Sequence, residues 1–254
     1  MKRVLTYIIS VAAILFVWEM ASIAVNLINH ATILPGPFDA LSQVVKNAAE
    51  LQRNFAASAW RLILAILISL AAAMPLGLVI GREPTLDRFF SPIIYITYAI
   101  PQVALILFLF VVFGTGSATK VAMVTLALFY QILVSARGAA KNIDEEYVTS
   151  VLSAGATRWQ VYRHVVLPAS LPQILTSVRV SIGLGIAFLY IAETRAALGT
   201  GLGSFINKHM LFSRDRAFAG IVAMAFLGLL LYMAVDVIER IICRWKYVKR
   251  RPLK

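Results

Sequence analysis

Long apolar stretches separated by short polar ones set the plan of this chain. A helix that crosses a bilayer needs about 20 mostly apolar residues. Six stretches approach or exceed that length, at residues 4–27, 55–80, 86–113, 119–136, 171–192 and 217–242. Pro75 predicts a kink or local loosening of the second stretch, and Ile100-Pro101 a break in the third. Between the first two, Leu34-Pro35-Gly36-Pro37 forms a rigid turn, followed by an amphipathic surface helix over 38–51. Gly81-Arg82-Glu83-Pro84 and Gly114-Thr115-Gly116-Ser117 read as turns. A glycine-rich re-entry, Gly199-Thr200-Gly201-Leu202-Gly203, leads into a polar stretch ending at Arg216. The expected architecture is all-α: one polytopic membrane domain of six transmembrane helices spanning residues 1–254.

One interruption is too polar to enter a bilayer and too helical for a plain loop. It begins at Asn142, and Asp144, Glu145 and Glu146 suit the positive end of a helix. Tyr147, Val148, Val151 and Leu152 then recur on one helical face. Gly155 breaks the run before Ala156, and Thr157 can cap a second short helix carrying Trp159, Val161, Tyr162 and Val165. Pro168 and Pro172 follow, tolerated where a helix begins because an amide hydrogen there has no carbonyl partner. The pattern describes two short amphipathic helices bent at a glycine and lying at the membrane surface.

Composition narrows the class. Of 254 residues 60% are apolar, beyond what a soluble domain carries. The single Cys243 excludes an internal disulfide. The net charge of +12 does not point to nucleic acid, because the basic residues are scattered between apolar spans. Six spans would place both termini on one side. The larger share of the 24 Lys and Arg residues falls on that side, together with the polar interruption, which by the positive-inside rule is the cytoplasm. No phosphate-binding loop occurs. Gly199, Gly201 and Gly203 lack the strand that a dinucleotide fingerprint requires. His30, His164 and His209 sit in no metalloprotease or hydrolase motif, so the sequence presents no catalytic residue and no metal site.

At this point the interruption resembles a known family. Gly155, followed after nine residues by Val165-Val166-Leu167-Pro168, is similar to the "EAA" loop of permease subunits in binding-protein-dependent ATP-binding-cassette importers. Leu34-Pro35, Ser58-Ala59-Trp60-Arg61, Gly77 to Gly81 and Ile100-Pro101 extend the likeness. Ile191-Ala192-Glu193 with Gly201-Leu202-Gly203 looks like the branch importing nitrate, sulfonates and taurine. Thr149-Ser150-Val151 departs from the Glu-Ala-Ala usual at that place, which implies either that Glu145 or Glu146 one turn earlier substitutes for the acidic residue or that the docking contact is neutral here. The resemblance implies a type I importer permease core that acts with a second copy of itself in a prokaryotic cytoplasmic membrane. It also implies two separate ATPase subunits, which would use ATP and Mg while this chain binds no cofactor, and an extracytoplasmic substrate-binding protein. Residues 142–168 would be the coupling loop. Glu145, Glu146, Tyr147, Val148, Val151, Leu152, Gly155, Ala156, Leu167 and Pro168 would dock in an ATPase groove, a mode that suits an amphipathic helix. Without the family likeness, the same loop reads equally well as an interfacial element lying on lipid.

Polar residues inside the spans are candidates for the solute path or its gate. Tyr98, Pro101 and Gln102 stand at the expected break of the third span, with core packing as the rival reading. Arg179 falls about 16 Å past Pro168 along a helix. It is either an electropositive point on the path or half of a structural ion pair, with Glu19 or another buried carboxylate as partner. Glu193, before Thr194-Arg195, is either a gate residue or a solvated helix end paired with Arg195. Asp236 and Arg240, at i and i+4, are expected to pair. A self-sufficient channel or ion-coupled carrier is the alternative function, although the sequence shows neither an internal repeat nor several midspan carboxylates.

Overall fold

A computed structural model describes residues 2–195 and 199–247 of the chain. It is helical, with no strand among the described residues. The principal helices are α1 (Lys2–Asn29), α2 (Pro37–Lys46), α3 (Ala48–Arg82), α4 (Pro84–Tyr98), α5 (Ile106–Phe113), α6 (Ser117–Lys141), α7 (Glu145–Ser153), α8 (Arg158–Val161), α9 (Leu167–Thr194), α10 (Leu202–His209), α11 (Arg214–Ile242) and α12 (Arg244–Tyr247). Among the described residues, five helical segments are long and apolar enough to cross a membrane, and six if the pair Pro84–Tyr98 and Gln102–Phe113 counts as one span. That pair is bent by 76°, at the break that Pro101 predicts.

Several boundaries differ from the sequence expectation for identifiable reasons. The surface helix expected over 38–51 stops at Lys46, where Asn47 leaves helical geometry and its side-chain amide donates back to Gln43. The next helix starts at once and runs 35 residues to Arg82. At 1.5 Å per residue that is about 52 Å, well beyond the hydrocarbon thickness, so α3 projects out of the membrane. The second short helix of the polar interruption is not separate from the span that follows. A π-helical turn, Tyr162–Val166, joins α8 to α9, and the whole segment Arg158–Thr194 passes as one span. Leu167 N–H reaches back to the Tyr162 carbonyl. This widened turn comes just ahead of Pro168, whose ring would otherwise press on the carbonyl four residues back.

The chain divides into two compact units. The first comprises Met1–Ser58 and Glu193–Leu227. Within it the turn at Leu34 and Pro35 is fastened to α1: Ser22 and Asn26 both donate to the Leu34 carbonyl, and Trp18 donates to that of Pro35 at 3.0 Å. Trp18 thus clamps this turn to α1.

The second unit comprises Ala59–Ala192 and Gly228–Lys254. Its core is the seam of α3, α6 and α9, where Leu62, Met123, Leu128, Ile132, Ile174 and Leu189 are fully buried. Small residues let the backbones meet closely, as in other membrane helix pairs. A methyl group at Gly77 would lie 2.7 Å from both the Leu133 carbonyl oxygen and the Ala136 methyl, and one at Gly81 would run into the Arg137 carbonyl. Gly185 faces Leu62 and Leu128. The glycines at 77 and 81 therefore set the distance between α3 and α6. Gly81→Leu is expected to push these helices apart at a cost of about 1–3 kcal/mol, read as a lowered unfolding temperature of the detergent-solubilised protein. An unchanged temperature would show that the contact is looser than this geometry.

Candidate functional site

The polar interruption forms a rigid elbow. Glu145 and Glu146 occupy the first turn of α7, favourable to its positive end. The helix closes in a Schellman motif: Ala156 N–H bonds the Val151 carbonyl, and Gly155 N–H that of Leu152. Gly155 carries φ +87°, a left-handed conformation that glycine adopts without a Cβ penalty. Thr157 then opens α8 with a capping box: its hydroxyl accepts from Gln160 N–H, and Gln160 Oε1 accepts from Thr157 N–H at 2.7 Å. Both ends of the bend are thus closed by local hydrogen bonds, and the bend angle does not depend on a partner.

The structure divides the expected docking stripe. Val148 is 5% exposed and turns inward with Val161, so these two hold the elbow against its own chain. Val151, Ala156, Leu167 and Pro168 are half-buried. Tyr147 and Leu152 point outward, 64% and 45% exposed, and Trp159 on α8 joins them at 72%. Trp159 belonged to the second apolar stripe in the sequence, but only the bend reveals that it shares the outward surface with Tyr147 and Leu152.

Two polar contacts brace the elbow against the end of α3. Arg82 donates to Glu145 at 2.6 Å, and Tyr162 OH donates to Glu83. The Arg82 guanidinium holds the Glu145 carboxyl below the usual carboxylate range. Glu145 is largely solvent-exposed, which limits what the pair adds to stability. Glu146 is exposed and leaves its charge on the rim. At the neighbouring end of α6, Arg137 and Lys141 both bind Asp87, and Arg137 also donates to Ser91 at 2.9 Å.

Of the polar residues inside the spans, Arg179 is held by ion pairs. It pairs with Asp236 at 2.9 Å and with Glu239, and its guanidinium lies over the Tyr232 ring. Glu239 is wholly buried and also takes Lys246 at 2.6 Å, while Asp236 pairs with Arg240 at 2.8 Å as the i, i+4 spacing predicts. The carboxylates meeting Arg179 are therefore those of α11, not Glu19.

Glu193 is not a solvated helix end. It is fully buried, and Ser58 Oγ lies 2.9 Å from both of its carboxylate oxygens. Gly203 N–H donates to it at 2.8 Å, at the start of α10. Ser58 Oγ also accepts from Leu202 N–H, and Asn54 Oδ1 accepts from Gly201 N–H, each at 2.8 Å. Gly201 has φ +130°, and a side chain there would occupy the space of the Glu193 carboxylate. Desolvation makes an unpaired carboxylate costly. The hydroxyl and the amides at the α10 N-terminus compensate for it, which ties the end of α9 to both α3 and the glycine re-entry.

Tyr98 sits at the break of the third span and accepts a hydrogen bond from Gln131 Nε2 at 3.1 Å. Its ring stacks edge-on against Tyr130. Pro101 is exposed and precedes the 3-10 turn Gln102–Leu105. The proposed path residues therefore separate: Tyr98, Pro101 and Gln102 stay at the bend, while Arg179 and Glu193 are taken up by buried polar partners.

Residues 73–244 match the family described as "Binding-protein-dependent transport system inner membrane component". Over 252 residues the chain is 30% identical to the taurine transport system permease protein TauC of Escherichia coli (strain K12), covering 96% of this chain and 90% of that protein. It is 27% identical over 239 residues to the formylaminopyrimidine transport permease protein ThiX of Halalkalibacterium halodurans, covering 92% of each. Among solved structures, an inward-facing form of the MetNI methionine ABC transporter shares its fold, with a TM-score of 0.66 at 20% identity over 77% of this chain and 97% of that one.

The Glu193 cradle yields a direct test. Ser58→Ala removes a donor to the carboxylate and the acceptor of Leu202 N–H, so it is expected to destabilise the protein by about 1–3 kcal/mol. A detergent unfolding curve indistinguishable from the unsubstituted protein would show that the cradle is not holding a buried charge.

Proposed function

We propose, from the premise that this chain belongs to the binding-protein-dependent transport system inner membrane components, that the elbow is its ATPase-docking element and its cargo a small organic anion or zwitterion of the sulfonate and taurine kind. The family is a transport subunit of ATP-binding-cassette importers, and ATP hydrolysis belongs to its partners. Two copies of the chain would enclose the path across a prokaryotic cytoplasmic membrane, with elbow and termini inside. Two ATPase subunits, holding ATP and Mg, would each grip one elbow, and a binding protein would deliver solute on the opposite face. The distribution of Lys and Arg supports that orientation.

The observation that carries the docking reading is the outward face of Tyr147, Leu152 and Trp159 on a bend whose shape is already fixed. Large aromatic side chains on a rigid support make effective anchors, because little freedom is lost when they enter a groove. Nucleotide-driven closure of the ATPases would move the elbow, provided ATP binds one arrangement of the assembly better than the other. The cargo reading is supported by the likeness to TauC along nearly the whole chain. The formylaminopyrimidine relative marks how wide the family's cargo range is.

Tyr147→Ala combined with Trp159→Ala is expected to weaken ATPase retention at least tenfold in detergent co-purification, leaving the folded permease intact by thermal unfolding. Retention at the unsubstituted level would exclude the elbow as the docking surface. ATP-independent uptake by the isolated chain at full rate would instead favour a self-sufficient channel or carrier.

A further inference from the structure

The inner ends of α6 and α9 enclose a groove of about 400 Å³ that the mechanism above does not use. Its polar lining is Gln131 and Ser135 from α6 with Gln173, Thr176, Ser177 and Ser181 from α9. No ionisable side chain lines it. Both helices are spans, so the depth of these residues follows from the helical rise. Ser135 and Gln173 lie about 9 Å in from the elbow ends of their helices, and Gln131 and Ser181 about 15–21 Å. The groove therefore runs from near the elbow to about the middle of a 30 Å hydrocarbon layer.

Part of this polarity is satisfied locally. Thr176 donates to the Pro172 carbonyl at 2.8 Å, Ser181 to that of Ser177 at 2.7 Å, and Ser177 across the groove to that of Gln131 at 3.3 Å. Such bonds use the hydroxyl hydrogens and leave the oxygens able to accept. The amide of Gln173 is exposed and has no hydrogen-bond partner among the described residues, and Ser135 Oγ likewise. Hydrocarbon offers an exposed amide nothing to bond, so this surface does not face lipid. Gln131 extends the polar surface further, because its amide nitrogen reaches the Tyr98 hydroxyl at the bend of the third span.

We infer that this groove is the wet route by which cargo crosses the elbow half of the membrane, and that its uncharged amides and hydroxyls form a hydrogen-bonding subsite for a small polar solute. The inference rests on the importer reading. It assigns Gln173 and Ser135 as the groups that meet the solute, and Gln131 as the link from the groove to Tyr98. Amide N–H groups would bond sulfonate or carboxylate oxygens, while amide and hydroxyl oxygens would accept from an ammonium group. The subsite therefore suits zwitterions as well as anions.

The test uses full-length permease in native membranes with the buried native thiol removed by Cys243→Ser. Thr176→Cys and Val180→Cys, in the groove, are compared with Ile14→Cys on α1, which is exposed along an apolar span. A charged, water-soluble methanethiosulfonate is expected to modify both groove thiols at least tenfold faster than Cys at 14. Reaction with lipid-soluble N-ethylmaleimide alone would place the groove against lipid, and protection of both groove thiols from both reagents would make it a dry, packed seam. Either result overturns the inference. In proteoliposomes with the ATPase and binding protein, Gln173→Leu is expected to cut taurine uptake at least tenfold while ATP hydrolysis stimulated by the binding protein stays within twofold. An equal fall in both would make Gln173 a structural residue and overturn its assignment. Failure of the importer reading would look different: the unsubstituted chain would bind no ATPase, whatever the thiol labelling showed.

Discussion

Hydrocarbon offers no hydrogen bonds, and most of what is distinctive in this chain follows from that deficiency. A polar group inside a span must find a partner in the protein or stand next to water. Arg179 takes two carboxylates and an aromatic face, and Glu193 takes a hydroxyl and a helix N-terminus. Arg61, 4% exposed, is bonded to Ser117. Such buried pairs add little net stability, because desolvation offsets most of the attraction. Breaking one is far more costly than omitting it, since the surviving partner is left uncompensated. These residues therefore act as registry pins: they fix which faces of α3, α9, α10 and α11 meet without pulling those helices together.

The elbow and the groove are mechanically linked through the chain itself. The elbow connects the end of α6 to the start of α9, and these two helices form the walls of the groove. A local closure at each end of the bend, the Schellman turn at Gly155 and the capping box at Thr157, makes α7 and α8 move as one piece. The π turn at Tyr162–Val166 continues the elbow into α9 without a flexible linker. On the other side, Glu145 and Tyr162 brace the elbow against the end of α3, whose glycines lie on α6. Under the proposed docking, force applied at Tyr147 or Trp159 would reach both walls of the groove through helix that is continuous with the elbow.

What the sequence disclosed depended on whether the signal was local. Apolar runs located the spans, and Pro101 located the bend in the third one, because a missing amide hydrogen acts where it stands. Gly155 and Thr157 were legible for the same reason: a left-handed turn and a side-chain cap need only a few neighbouring residues. The cradle of Glu193 was not legible, since Ser58 lies 135 positions away and nothing near either residue announces the other. For Arg179 the spacing points to a paired charge but leaves the partner open, as charge alone does not tell Glu19 from Glu239. The sequence alone groups Val148 with the outward anchors, because a helical stripe shows that a face is apolar, not which side of it the protein covers. The groove has no signature in the sequence, because scattered Ser and Thr in a span are ordinarily satisfied by their own helix. Only the juxtaposition of α6 with α9 gathers them with two glutamines.

The neutrality of the groove bears on why ionisable residues are kept out of it. A fixed charge near the middle of a membrane attracts a charged solute strongly, because little solvent screens it. Strong attraction helps entry and delays exit, and a conducting path needs a site weak enough to leave. Amides and hydroxyls offer shorter-lived contacts that can be exchanged with water one at a time. Arg179 and Arg137 each lie on a helix that walls the groove, yet both are committed to carboxylates and to aromatic rings. On this view the ion pairs have a second consequence besides registry. If the groove is the route, holding cations away from it would leave discrimination to a partner that binds tightly before transport begins, and would let one lining pass solutes that differ in charge.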